Sequence, residues 1–336
     1  VRFDVGILAT QPVPAIVRQV QLAEALGFET AWIADSHLVC RELYVILTAC
    51  ALATTRIKLG PGVTVPHTRH HSVTASGIAT LAEIAEGRLV LGMGTGDSAA
   101  GTLGLDMRRV ARISTIEAMT RTVRRLLEGE RAPLEHGFEA RIAWLDRPRS
   151  VPIYVAGSGP RMLEAAGRLG DGALVYASTR PEILEAALRH VEAGAKAAGA
   201  RLADREIVLW APMSVSHDRT AARAHVGGRV ASAARHPLPV TLPAEDAAAV
   251  EAIRREYDFF AHATARSRQA ELVPDRFVDL FALAGTPADI VERVRQIAEV
   301  PNLTRIAVLP QVPDGPYADR ETILKLFADE VMARVA

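Results

Sequence analysis

Four short segments carry residue types that could do chemistry. IADSH at Ile33–His37 puts Asp35 directly after an apolar run. IKLGPGVTVP at Ile57–Pro66 ends such a run in Gly60 and Gly62. RLVLGMGTGDSA at Arg88–Ala99 ends in Gly94, Thr95, Gly96 and Asp97, and AGSGP at Ala156–Pro160 follows another apolar stretch. Glycines at the exit of a strand let main chain approach something flat or anionic. GTGDSA satisfies G-x-G-x-x-A, the dinucleotide fingerprint. That fingerprint belongs to the first βα unit, and here it follows the fourth strand, so the spacing argues against it. Two other readings remain: an ordinary glycine-rich loop, or a loop hugging a ring system with Asp97 placed to handle a proton. AGSGP leaves N–H groups free for an anion at a helix N-terminus, or is a plain tight turn. Asp35 is a catalytic carboxylate, or a helix cap or salt-bridge partner. His67, His70 and His71 cluster around Arg69, but H-x-x-H-H without obvious carboxylate partners makes a poor metal site. Arg69 could instead hold an anionic group.

The elements that must position these residues alternate strand and helix. Strands are expected at Phe3–Leu8, Thr30–Ala34, Ile57–Val63, Arg88–Met93, Pro152–Val155, Gly172–Tyr176, Glu206–Ser214 and Arg305–Leu309. Helical spacing predicts Pro14–Leu26, Tyr44–Thr54, Ser72–Glu86, Val110–Glu128, Pro160–Leu169, Pro181–Ala198, Pro287–Ala298 and Arg320–Ala333, with Glu130–Ser150 irregular. Thr286 is a good N-cap, with Pro287 suited to the first turn. Between the seventh and eighth strands regularity fails. Ala221–Ala234 reads as a helix, HPLPVTLPAED breaks it, and Ala247–Phe260 resumes helical spacing. Eight such strands predict a (β/α)8 TIM barrel, residues 1–336 as one domain, with a mainly helical insertion at about 221–284. A doubly wound sheet is the competitor. In the barrel, the strand ends carrying all four segments converge on one mouth.

The 336 residues carry 39 basic and 39 acidic side chains, which argues against a nucleic-acid surface. Two cysteines ten residues apart imply neither a zinc site nor a disulfide framework. No run is apolar enough for a membrane span, and the start lacks the pattern of a signal peptide. A soluble cytoplasmic protein is expected.

The segments LAEALGFETAWIAD, IKLGPGVT, SGIATLAEIAEGRLVLGMGTGD, VPIYVAGSGPRMLEAAGRLGDGAL and FALAGTPADIVERV run through nearly the whole chain. In them the chain resembles the luciferase-like superfamily. Within it, the deazaflavin branch that uses coenzyme F420, and the methylenetetrahydromethanopterin reductases in particular, are the most similar. The resemblance implies the same barrel with its insertion before the last strand, and a homodimer. It implies a non-proline cis peptide bulge at Gly62–Val63, with Thr64, against one face of the ring. It places Asp35 and Ser36 near the ring, and Gly94, Thr95, Gly96 and Asp97 in the strand-four loop. Ala156, Gly157, Ser158 and Gly159 would take the cofactor phosphate, Asp35 and Asp97 would be catalytic, and no metal is called for.

This chain also departs from the pattern. Ser36 stands where many members have His, and His37 is displaced by one. Members that oxidise alcohols use that His as base, so the change argues against alcohol oxidation. Leu8 replaces a strand-one glutamate and Val65 a strand-three-loop asparagine of the reductases, which argues against a pterin substrate. The expectation is therefore an F420-dependent oxidoreductase. It would move a hydride between the deazaflavin C5 and a C=C, C=N or methylene-bridged carbon of a small organic molecule. The insertion would shape the substrate side. The alternatives are an FMN-dependent luciferase-type monooxygenase, or a non-catalytic cofactor-binding barrel.

Overall fold

Each expected strand is buried on both faces, as the near-continuous apolar runs require of a parallel sheet covered by helices. In the computed structural model, which describes residues 1–107, 109–262, 264–312 and 319–335, eight of them form a ring. They are β1 (Arg2–Ile7), β2 (Thr30–Ile33), β3 (Lys58–Pro61), β4 (Leu91–Met93), β5 (Ile153–Gly157), β6 (Gly172–Val175), β7 (Glu206–Val215) and β8 (Arg305–Pro310). Each pairs in parallel with the next, and β8 returns to β1 with Phe3 opposite Ile306. Between β3 and β4 the ladder is thin. Single bridges join Leu59 to Leu89 and Thr64 to Met93, and the Thr64 N–H donates to the Gly92 carbonyl at 2.9 Å. The result is a closed (β/α)8 barrel rather than a doubly wound sheet.

The barrel interior holds Trp32, Val90, Tyr154, Leu174, Val208 and Ala307, with Val63 and Trp210 above them. Below, the strand N-terminal ends are plugged by a polar network. Arg305, 1% exposed, pairs with Glu206 at 2.6 Å and Asp4 at 3.8 Å, and Trp32 Nε1 donates to Asp4 at 2.9 Å. Burial raises the Asp4 carboxyl to about 6 against the pull of Arg305. Polar groups at this face serve stability, and the opposite mouth is left for ligands.

The helices follow the expected order. Thr286 caps Pro287–Ala298 in a reciprocal box with Asp289. Local differences have local causes. Gly96, at φ 61°, caps a short helix Asp97–Thr102 that the composition DSAAGT hid, and the long helix starts only at Arg112. The segment read as one helix, Ala221–Ala234, is two, Arg219–His225 and Gly227–Ala234. Gly228 packs so tightly that a Cβ there would lie 1.9 Å from the Thr264 carbonyl oxygen. Helices Ala244–Arg255, Arg268–Glu271 and Asp275–Phe281 follow, with their own apolar cluster around Val230, Ile253, Phe277 and Phe281. A short strand, Leu283–Gly285, then pairs with the outer end of β7. The irregular stretch contains a two-stranded ribbon, Ala132–Pro133 with Glu139–Ala140, and the last helix loosens into a π turn at Ala328–Met332.

The thin β3–β4 seam depends on bare backbone. A Cβ on Gly92 would sit 2.2 Å from the Pro61 carbonyl oxygen, and one on Gly60 2.3 Å from that of Val90. Gly92→Ala is expected to destabilise the protein by about 1–3 kcal/mol through overpacking, read as a lower urea midpoint. An unchanged midpoint would show that the seam has slack.

Candidate active site

At the C-terminal mouth the strand exits enclose a cavity of about 890 Å³. Its floor is apolar: Leu8, Ala34, Val63, Leu174, Trp210 and Leu309 all line it. The Gly62–Val63 peptide bond is cis and forms part of this floor. A Cβ on Gly62 would lie 2.8 Å from both Trp32 and Trp210, so only glycine fits there. Gly94 rests against Val63, where a Cβ would come within 2.6 Å of its side chain. The strand-three bulge and the strand-four loop are thus in direct contact. Val65, buried, fills the space under Gly96.

Of the residues singled out in the sequence, Asp35, Ser36, Gly62, Val63, Gly94, Thr95, Gly96, Asp97, Ala156, Gly157, Ser158 and Gly159 all line this one cavity. Thr64 does not. Its backbone is used in the β3–β4 seam, and its fully buried hydroxyl lies 3.3 Å from the Tyr44 hydroxyl. His37 also lies outside the lining. Ser36 Oγ sits 3.1 Å from Ser98 Oγ, which ties the strand-two and strand-four loops together.

The two carboxylates have opposite surroundings. Asp35 accepts from both terminal nitrogens of Arg69, Nη2 reaching Oδ1 at 3.3 Å, and Arg69 also donates to Glu42 and lies over the Tyr44 ring. Arg69 is therefore engaged and does not serve as a free anion holder. Burial is the largest influence on Asp35 and leaves its carboxyl above the ordinary value despite Arg69. Burial also acts most strongly on Asp97, but His236, Arg235 and Arg112 together outweigh it and hold that carboxyl below its usual range. The distances from Asp97 are 3.5 Å to Arg235, 3.5 Å to His236 Nδ1 and 3.8 Å to Arg112. Asp97 is thus a carboxylate at neutral pH, and its Oδ1 is buried with no hydrogen-bond partner among the described residues.

The AGSGP loop opens the helix Pro160–Leu169 at Gly159, with no side chain capping the helix end. A Cβ on Gly157 would meet Met162 backbone at 2.9 Å, and one on Gly159 would meet Pro237 at 2.8 Å. These residues line the cavity at an uncapped helix start, a place suited to an anion. Among the three histidines of the strand-three loop, His70 accepts from the Ser72 N–H and caps the helix His71–Ile84.

Sequence reasoning missed the cavity's far wall. Arg229, Arg235, His236 and His262 come from the irregular region, and Arg112 from the start of the long helix. Their only signal was position: basic residues on small-residue helices after a barrel strand, with no recognisable spacing.

A family model described as luciferase-like monooxygenase matches residues 1–301. The chain is 34% identical to 5,10-methylenetetrahydromethanopterin reductase of Archaeoglobus fulgidus, over 94% of each chain. It is 30% identical to F420-dependent glucose-6-phosphate dehydrogenase of Beutenbergia cavernae, over 94% of this chain and 91% of that one. Among solved structures it superposes on the coenzyme F420-dependent tetrahydromethanopterin reductase of Methanopyrus kandleri with a TM-score of 0.80. That match has 28% identity and covers 100% of this chain and 99% of the other.

Removing Arg69 would strand Asp35 as an unpaired buried charge. Arg69→Met is expected to cost about 3 kcal/mol near neutral pH. The Asp35 carboxyl would then rise further in the folded state, so the folded protein would hold its proton more tightly than the unfolded chain. The deficit should therefore shrink as pH falls through that raised value. Thermal melts of both proteins across pH 5–8 check this; an equal deficit throughout would contradict it.

Proposed function

The chain belongs to the luciferase-like monooxygenase family, and from that premise we propose that it is a coenzyme F420-dependent oxidoreductase. The hydride would pass between the deazaflavin C5 and a C=C, C=N or methylene-bridged carbon of a small organic molecule. What carries this reading is a convergence. The Gly62–Val63 bulge, the Gly94–Asp97 loop and the AGSGP loop face one cavity, in a chain about a third identical to F420 enzymes over nearly its whole length.

The residues present fit such a cofactor. The apolar floor around Val63, Trp210, Leu174 and Leu309 suits a flat ring and keeps water from its face. Gly94, Thr95 and Gly96 bring main chain to the ring edge without intervening side chains. Gly157, Ser158 and Gly159 offer an uncapped helix start for the phosphate. When bound, the deazaflavin supplies the two-electron hydride chemistry that no side chain can.

The chain's own residues would position reactants and handle protons. Asp97 Oδ1, without a hydrogen-bond partner among the described residues though 3.8 Å from Arg112, is the atom that would hold or accept a proton at the ring edge or on the substrate. Its low pKa suits a base or hydrogen-bond acceptor better than a resting acid. Asp35, held by Arg69, would fix the other edge of the ring. Leu8, in an apolar corner with Ala34 and Leu309, stands where the reductases place a carboxylate. Those three apolar side chains cannot protonate a substrate, and Asp97 is our candidate for the proton-handling group.

We also propose a homodimer. Val45 and Leu52 on helix Leu43–Ala53 and Val73 on the adjoining helix His71–Ile84 are exposed, Leu52 by 72%. A cytoplasmic setting accords with the two free thiols, Cys40 and Cys50.

Steady-state assays with reduced F420 test the reading, with methylenetetrahydromethanopterin and a panel of imines and activated alkenes as acceptors. At least one acceptor should return oxidised F420, seen as its visible absorbance. For that acceptor Asp97→Asn should lower kcat by about 100-fold or more while leaving F420 affinity nearly unchanged. Unchanged kcat would remove Asp97 from the reaction. Separately, light scattering should give twice the chain mass for the wild type, and Leu52→Glu should shift it toward the monomer. A monomeric wild type would overturn the dimer.

A further inference from the structure

Arg229 projects from helix Gly227–Ala234 into the cavity wall and is only 6% exposed. A guanidinium cannot shed its proton, so burying one is costly unless an anion or full hydrogen bonding compensates. Here neither is present. Among the described residues no carboxylate lies within ion-pair distance of Arg229, and its Nε and Nη2 have no hydrogen-bond partner. Its one side-chain bond runs from Nη1 to His262 Nε2 at 2.9 Å. His262 is itself buried, and desolvation together with Arg229 keeps it neutral, so it accepts this bond without supplying charge. His262 Nδ1 in turn lies 2.5 Å from the Tyr257 hydroxyl, which fixes the ring and with it the guanidinium.

The contrast with the neighbouring cations is informative. Arg235 and Arg112 lie near Asp97, and Arg69 is taken by Asp35 and Glu42. Arg229 is held by His262 while its buried Nε and Nη2, the pair that grips a carboxylate or phosphate in two-pronged fashion, stay unbonded among the described residues. Its backbone carbonyl accepts from the Tyr176 hydroxyl at the end of β6, and its charge is felt at Cys40 beyond β2.

We propose that Arg229 receives a carboxylate or phosphate carried by the hydride acceptor, so that the substrate is an organic anion. This rests on the F420 reading for the word acceptor, but the anion site itself does not require it.

Calorimetric titration of enzyme saturated with F420 tests it, with benzoate as the carboxylate probe and inorganic phosphate as the other. Wild type should bind at least one, and which one it binds reports the chemistry of the anionic group. Arg229→Met should weaken that binding by about tenfold or more, and Arg229→Lys should restore part of it. F420 affinity should be the same in all three proteins. The apo melting temperature of Arg229→Met should equal or exceed that of wild type, because an unpaired buried charge has been removed. Three results would overturn the site: no binding of either probe, equal binding by Arg229→Met, or F420 affinity falling in step with it. The last would make the cofactor the counter-ion. Absence of any F420 binding by wild type would defeat the F420 reading instead. In that case probe titrations of apo protein, wild type against Arg229→Met, still decide the anion site.

Discussion

The mouth of this barrel depends on how closely β3 and β4 approach each other. Gly60 and Gly92 let each strand lie against a carbonyl of the other, at distances where a methyl group would collide. The same requirement continues upward. Gly62 is wedged between Trp32 and Trp210, Gly94 against Val63, and Gly96 over Val65. A column of bare backbone therefore rises along the seam. It ends as a platform of main chain, Val63 and the start of the Asp97 helix. Side chains at these positions would both open the barrel and fill the cavity.

Around that platform, charge is distributed unevenly. Asp35 is balanced by one arginine and remains raised by burial, whereas Asp97, beside His236 and two arginines, is depressed. One cavity thus holds two carboxyls that their surroundings push in opposite directions. The insertion supplies two of the groups beside Asp97, since Arg235 and His236 both follow helix Gly227–Ala234. Arg229, on that helix, has no carboxylate within ion-pair distance among the described residues.

The fold was legible because the strands are buried on both faces and end in glycine, so apolar runs and punctuation marked eight strands near their true limits. The platform was legible for the same reason: glycines in Ile57–Ala99 are too dense for ordinary strand exits. The dinucleotide spacing within GTGDSA proved incidental, since Gly96 serves to cap a one-turn helix that presents Asp97. Thr64 lies outside the cavity lining, with its hydroxyl beside that of Tyr44 and its backbone used in the β3–β4 seam. The far wall was not legible. Arg229, Arg235, His236 and His262 converge only through packing of short helices around Phe277 and Phe281, and tertiary contacts of that kind leave no period in the sequence.

The cofactor proposed for this platform is a deazaflavin. Equilibrium titration of the apo protein with F420, FMN and NADPH in parallel, read by fluorescence quenching, tests it most directly. Saturable quenching with F420 and a markedly weaker response to the other two are expected. Tight FMN binding with no response to F420 would contradict it.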